Sequence, residues 1–179
     1  VISTHAKDSI ERIFFKAAKS RLTMNAGDVC EIVPAGAHGA HSLPDANLVV
    51  LTISGMAFRL LLILHFDDSE STHRYFVKEE SERAFLEVFL ETCNLCCGAV
   101  NQELHHYFPD LGMSTPYVLS ARCMPYLEVL KPEFLASYAV TINDAVSLGA
   151  TICVCAHAPM DFVAEVSAVE DTSGELELF

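Results

Sequence analysis

Six residues in the middle of the chain have types and spacings that could support chemistry: Glu87, Glu91, Asn94, Gly98, Asn101 and His105. At about 100° per helical residue they fall within roughly a quarter of one helix circumference. Glu91 and Asn94 are three residues apart, so their side chains stand side by side, and Gly98 leaves space where a third side chain would stand. The carboxylate accepts hydrogen bonds only, whereas the carboxamide both donates and accepts. Elsewhere the chain shows no nucleophile with a base beside it, no glycine-rich phosphate loop and no His-Glu-x-x-His or similar metal motif. An enzyme built on this stripe would borrow its chemistry from its substrate. The competing expectation is an ordinary exposed helix face with a helix-packing glycine.

The element that must carry the stripe is a helix over residues 81–108, ended by Pro109, which cannot continue a helical hydrogen-bond ladder. Its other positions are nearly all apolar or small, among them Phe85, Leu86, Phe89, Cys93, Leu95, Cys96, Cys97, Val100 and Leu104. A helix apolar over most of its circumference is packed on several sides, which makes the narrow polar stripe a site candidate.

Around this helix the hydrophobic periodicity predicts a first helix over residues 5–22, capped by Ser3 or Thr4, then a strand at 29–33 and a loop at 34–45. Strands at 48–54 and 58–66 form a hairpin around Gly55, and residues 67–72 connect to the central helix. Further strands are expected at 117–122, 136–143 and 150–156, the last two joined by residues 144–149. Leu51-Thr52-Ile53-Ser54 has a counterpart in Val140-Thr141-Ile142-Asn143, which suggests two copies of a helix followed by three strands. The expected fold is α+β: a two-layer domain with two long helices packed on a mostly antiparallel six-stranded sheet, with a pseudo-two-fold axis between the halves. Residues 1–166 form this single domain, and residues 167–179 are an acidic tail outside the core.

Composition narrows the functions available. A chain of 179 residues, half of them apolar, can bury one sizeable core. It has no uninterrupted apolar run of membrane-spanning length and no basic segment leading into an apolar one at its start, so a cytoplasmic location without a signal peptide is expected. The net charge of −13 argues against nucleic acid or an anionic membrane as the main partner. Five of the eleven basic residues lie on the first helix, with Arg12, Lys16 and Lys19 on one side, most simply a solvated face. The seven cysteines are expected as reduced thiols, since Cys93, Cys96 and Cys97 lie too close on one helix to pair well. Cys153 and Cys155, expected to face opposite ways along a strand, do not complete a zinc site with them, and His38 and His41 are expected as loop residues.

Glu91-x2-Asn94-x3-Gly98 on an apolar helix, followed by Gly112-Met113-Ser114-Thr115-Pro116 leading into a strand, resembles the CheC/CheX/FliY family of chemotaxis phosphatases. The family pattern is an Asp or Ser, three residues, Glu, two residues, Asn, and a Pro about two dozen residues later. Glu87 stands in the Asp/Ser position, and Pro116 is one residue nearer than usual. Glu11 is followed three residues later by Phe14 and not by Asn, so only the second helix carries the pair, as in CheX-type members. The resemblance implies a phosphatase acting on the aspartyl phosphate of a CheY-like receiver, with Glu91 and Asn94 catalytic and Glu87, Gly98 and Pro116 in partner binding. It implies no cofactor of the protein's own, Mg²⁺ being supplied by the receiver, and a homodimer. A catalytically silent module that binds a receiver or dimerises is the alternative.

Overall fold

A computed structural model describes residues 1–35, 47–77 and 84–165. The first helix, α1 (Thr4–Arg21), starts where the Ser3 hydroxyl accepts a hydrogen bond from the Ala6 amide. The strands are β1 (Cys30–Pro34), β2 (Asn47–Ser54) and β3 (Phe58–Phe66), followed by a short helix α2 (Glu70–Phe76) and the long helix α3 (Phe85–His105). Then come β4 (Gly112–Met113), β5 (Tyr117–Ser120), a 3-10 segment (Ala121–Leu130), β6 (Phe134–Ile142) and β7 (Val146–Ala156).

All strand pairs are antiparallel, in the order β1-β6-β7-β3-β2, with β4 and β5 both on the outer edge of β2. Exchanging β1 with β5, β2 with β6 and β3 with β7 returns the same order, so the sheet carries the expected pseudo-two-fold symmetry about the β3–β7 pair. Among the described residues the sheet has seven strands, not six, because β4 pairs two residues, Met113 and Gly112, with Ile53 and Ser54. A two-residue strand is too short to leave a periodic pattern.

Helices α1 and α3 pack on the same sheet face and on each other. Alternate strand residues (Leu51 and Ile53 on β2, Leu60, Leu62 and Leu64 on β3, Val140 and Ile142 on β6, Ile152 and Val154 on β7) meet Ile10, Phe14, Phe89, Cys93 and Val100 in one core. The opposite face is covered in part by the 3-10 segment, whose Met124 closes a smaller core with Leu48, Val50 and Ile63.

Several expected boundaries move. Ser69 caps α2 within the expected connector, and Phe76 from α2 packs against Phe89 at 5.1 Å between ring centroids. The strand expected over 117–122 ends at Ser120, where the chain turns into the 3-10 segment. The expected 144–149 linker is mostly strand: Asn143 and Asp144 both have φ of 53°, the geometry of a type I′ turn, so β7 starts at Val146. Cys153 and Cys155 share one face of β7, as residues two apart in a strand must. The loop with His38 and His41, the helix start expected at residues 81–83 and the acidic tail lie outside the described residues.

Candidate functional site

The site is built on α3, which the core holds by one side. Phe85 and Phe89 anchor its first turns against Phe66, at 5.8 and 4.7 Å between ring centroids. Thr92, Cys93, Cys96, Cys97, Val100 and Leu104 continue the buried stripe. Burial pushes the Cys97 thiol up to about 12 and raises Cys93 and Cys96 as well, so these sulfurs stay protonated and are poor nucleophiles. Their role is packing.

On the opposite side of α3, Glu87 and Glu91 are exposed, and Asn94 and Gly98 are half-buried. Helical spacing puts the four on one face, with Glu91 and Asn94 adjacent. The Asn94 amide makes no hydrogen bond among the described residues. A Cβ added at Gly98 would find nothing within 4 Å. This counts against the helix-packing role that competed for Gly98: among the described residues no neighbouring element sits against it.

Pro116 stands apart from these four, half-buried in the link between β4 and β5. That link is tied to β2, where the Ser114 amide donates to the Thr52 carbonyl and the Thr52 amide donates to the Ser114 hydroxyl, both at 2.9 Å. β4, on the same segment, touches α3.

Three features escaped the sequence. Leu86 and Leu95, counted there among the packed positions, are 41% and 51% exposed, and Leu95 lies one turn from both Glu91 and Gly98. Among the described residues the helix packs against the sheet, α1 and α2, and the side carrying Glu87, Glu91 and Leu95 is exposed. Asn101, the fifth residue of the polar stripe, has its side-chain carbonyl oxygen shielded from solvent without a hydrogen-bond donor among the described residues. Lys16 of α1 forms an ion pair with Glu103 of α3 at 2.7 Å, which removes one of the three aligned cations from any docking patch. None of these had a signal in residue type or spacing.

The scaffold beneath this open face has known counterparts. No sequence-family model matches the chain, and no curated protein matches it by sequence. Solved structures do. The chemotaxis protein CheX from Vibrio vulnificus superposes with a TM-score of 0.59 at 14% identity, covering 85% of this chain and 100% of that one. The chain has the fold of the CheC/CheX/FliY family. A CheC-like superfamily protein from Shewanella sp. PV-4 gives a TM-score of 0.51 at 11% identity, covering 86% of this chain and 99% of its own. CheX in the CheX–CheY–BeF3–Mg²⁺ complex from Borrelia burgdorferi gives 0.51 at 12% identity, covering 82% and 96%. In this CheX-like fold α3 is the second of the two long helices, and its exposed face is the one carrying Glu91, Asn94 and Gly98. No described helix is long and apolar enough to cross a membrane.

Proposed function

We propose that the protein is a CheX-like phosphatase that hydrolyses the aspartyl phosphate of a CheY-like receiver, in chemotaxis or another two-component pathway. The observation that carries this reading is the space at Gly98, open among the described residues, one turn from Asn94 and two turns from Glu91 on a CheX-like fold. A receiver can approach the helix backbone there. The Asn94 amide, with a donor and an acceptor, holds a water in line with the phosphorus without taking its proton. Glu91 reaches the receiver's lysine and sets the docking register through a charge-assisted contact. Glu87 lies one turn before Glu91 on the binding face, Leu95 adds an apolar contact beside it, and Pro116 shapes the adjoining loop. Positioning is the main contribution required, because a loose phosphoryl-transfer transition state needs little covalent help. Mg²⁺ comes with the receiver, whose own acidic residues hold it; the protein supplies no cofactor.

The deciding experiment follows decay of phosphorylated receivers with Mg²⁺, alone, with the protein, and with its Glu91→Ala and Asn94→Ala variants. Acceleration lost in both variants supports the reading. Tight binding with unchanged decay selects the second reading, a receiver-binding module, which Glu87 in the Asp/Ser position and the shortened spacing to Pro116 favour. We also propose a homodimer, since the edge strand β5 exposes Tyr117, Val118 and Leu119 with one side unpaired among the described residues. A monomer by sedimentation at every concentration removes that part.

A further inference from the structure

We propose that the sheet face turned away from the helices binds a small organic oxyanion, a carboxylate or phosphate on an apolar body, through Arg59. Along β3, Phe58, Leu60 and Leu62 point into the helix-side core, so Arg59 and Leu61 between them point to the other face. Ser54 is the direct cross-strand partner of Arg59 on one side and Cys155 on the other. Thr52 is paired with Leu61 in the next row. Together with Tyr117 of β5 and Leu130 of the 3-10 segment, these residues line a cavity of about 360 Å³.

The wall has a division of labour. Leu61, Leu130 and the Tyr117 ring supply apolar surface; Arg59, Thr52, Ser54 and the Tyr117 hydroxyl supply donors. None of the three ion pairs among the described residues includes Arg59, and the Thr52, Ser54 and Tyr117 hydroxyls have no partner there either. In a chain of net charge −13, carboxylates to pair with an arginine are abundant, yet this one is left to the cavity. A guanidinium presents a planar fork that matches the paired oxygens of a carboxylate or phosphate, and neighbouring hydroxyls can complete its shell. The volume falls in the range of sites for small molecules, and the lining is mixed, with donors and apolar surface in similar measure. The site lies in the layer opposite Glu91 and Asn94, so its occupancy is independent of the phosphatase reading.

The test is a titration of the full, isotope-labelled chain with phenyl phosphate, benzoate and uncharged benzyl alcohol, read from amide chemical shifts. The expected result is saturable shifts at Ser54, Arg59, Leu130 and Cys155 with at least one of the two anions and none with the alcohol. Arg59→Gln weakens that binding at least tenfold, while Arg12→Gln on α1 leaves it unchanged. Arg59 is exposed, so the substitution leaves the rest of the spectrum in place and the fold can be checked in the same experiment. The anion that binds more tightly identifies the oxyanion class. Saturation by neither anion, shifts centred on Glu91 and Asn94 or on the α1 lysines, or undiminished binding in Arg59→Gln each overturns the proposal.

Discussion

Helices α1 and α3 are two versions of one element, and the difference between them falls at the candidate site. From Asp8 to Ala17 and from Glu91 to Val100 the succession of buried, half-buried and exposed positions is identical. In both, a hydroxyl at the second position bonds the carbonyl four residues back: Ser9 to His5 at 2.7 Å, Thr92 to Val88 at 2.9 Å. In this register Asp8 corresponds to Glu91, Glu11 to Asn94 and Phe15 to Gly98. The α1 pattern that sequence compared, Glu11 with Phe14, is out of phase, since Phe14 is core. On α1 the Tyr138 hydroxyl donates to Glu11, and Phe15 packs edge-on against the Tyr138 ring at 5.1 Å. On α3 the same two positions hold an amide with no described partner and a glycine facing open space. One face is closed by its own sheet, and the other is open among the described residues.

This contrast can be broken most severely at Asn94. Asn94→Ala should slow receiver dephosphorylation by about 100-fold or more, the scale for losing one preorganised group, whereas Glu11→Ala should change it less than about twofold. Single-turnover decay of the phosphorylated receiver measures both; equal effects would erase the distinction. Next, Gly98→Phe transplants the α1 solution onto α3. With no described atom within 4 Å of a Cβ at this position, the chain should fold, but receiver affinity should fall at least about tenfold by calorimetry. The milder Gly98→Ala should raise stability by about 0.5–1 kcal/mol in urea melts, since glycine is a poor helix former, so that stability and docking move in opposite directions.

Smaller effects sharpen the comparison. Leu95→Ser removes exposed apolar surface beside Glu91 and should weaken receiver binding by about 3- to 10-fold, at roughly 1 kcal/mol for a partly buried leucine, without altering the melting of the free protein. Tyr138→Phe leaves Glu11 without its donor and should cost about 1 kcal/mol of stability with no change in dephosphorylation.

The symmetry extends to the loops after each helix, where an aspartate grips a hairpin turn. Asp110, after α3, accepts from the Met56 amide of the β2–β3 turn at 2.7 Å. Asp28, after α1, accepts from Asn143 of the β6–β7 turn at 2.8 Å and also from Tyr75 at 2.6 Å. These bonds, Tyr75 first, hold the Asp28 carboxyl at about 2 against an ordinary 3.8. A lowered folded-state pKa stabilises the fold above about pH 3.8, and that contribution is lost as pH falls toward 2. Acid unfolding of Asp28→Ala should therefore lose part of its pH dependence in this window, with reduced stability at neutral pH. Asp110→Ala should destabilise less, having fewer bonds to lose.

Much of this was legible before any coordinates. The two long helices, the hairpin around Gly55, the helix-plus-strands repeat and the grouping of Glu87, Glu91, Asn94 and Gly98 all follow from periods of 3.6 and 2, which local sterics impose on any chain. The strand β3 was expected over 58–66, where it lies. The miscounted pieces, β4 and α2, are two and seven residues long, shorter than the windows over which periodicity is a signal.

A helical period assigns each residue an angle, and that much the amino-acid order determined by itself. What occupies the space at that angle depends on parts of the chain distant in sequence. Only the tertiary arrangement decided that Gly98 faces open space while Phe15 meets Tyr138, that Leu95 is exposed while Phe89 is buried, and that Arg59 looks into a cavity shared by β2, β3, β5 and β7. The physical reason is that burial belongs to pairs of surfaces. One chain segment carries only half of each pair.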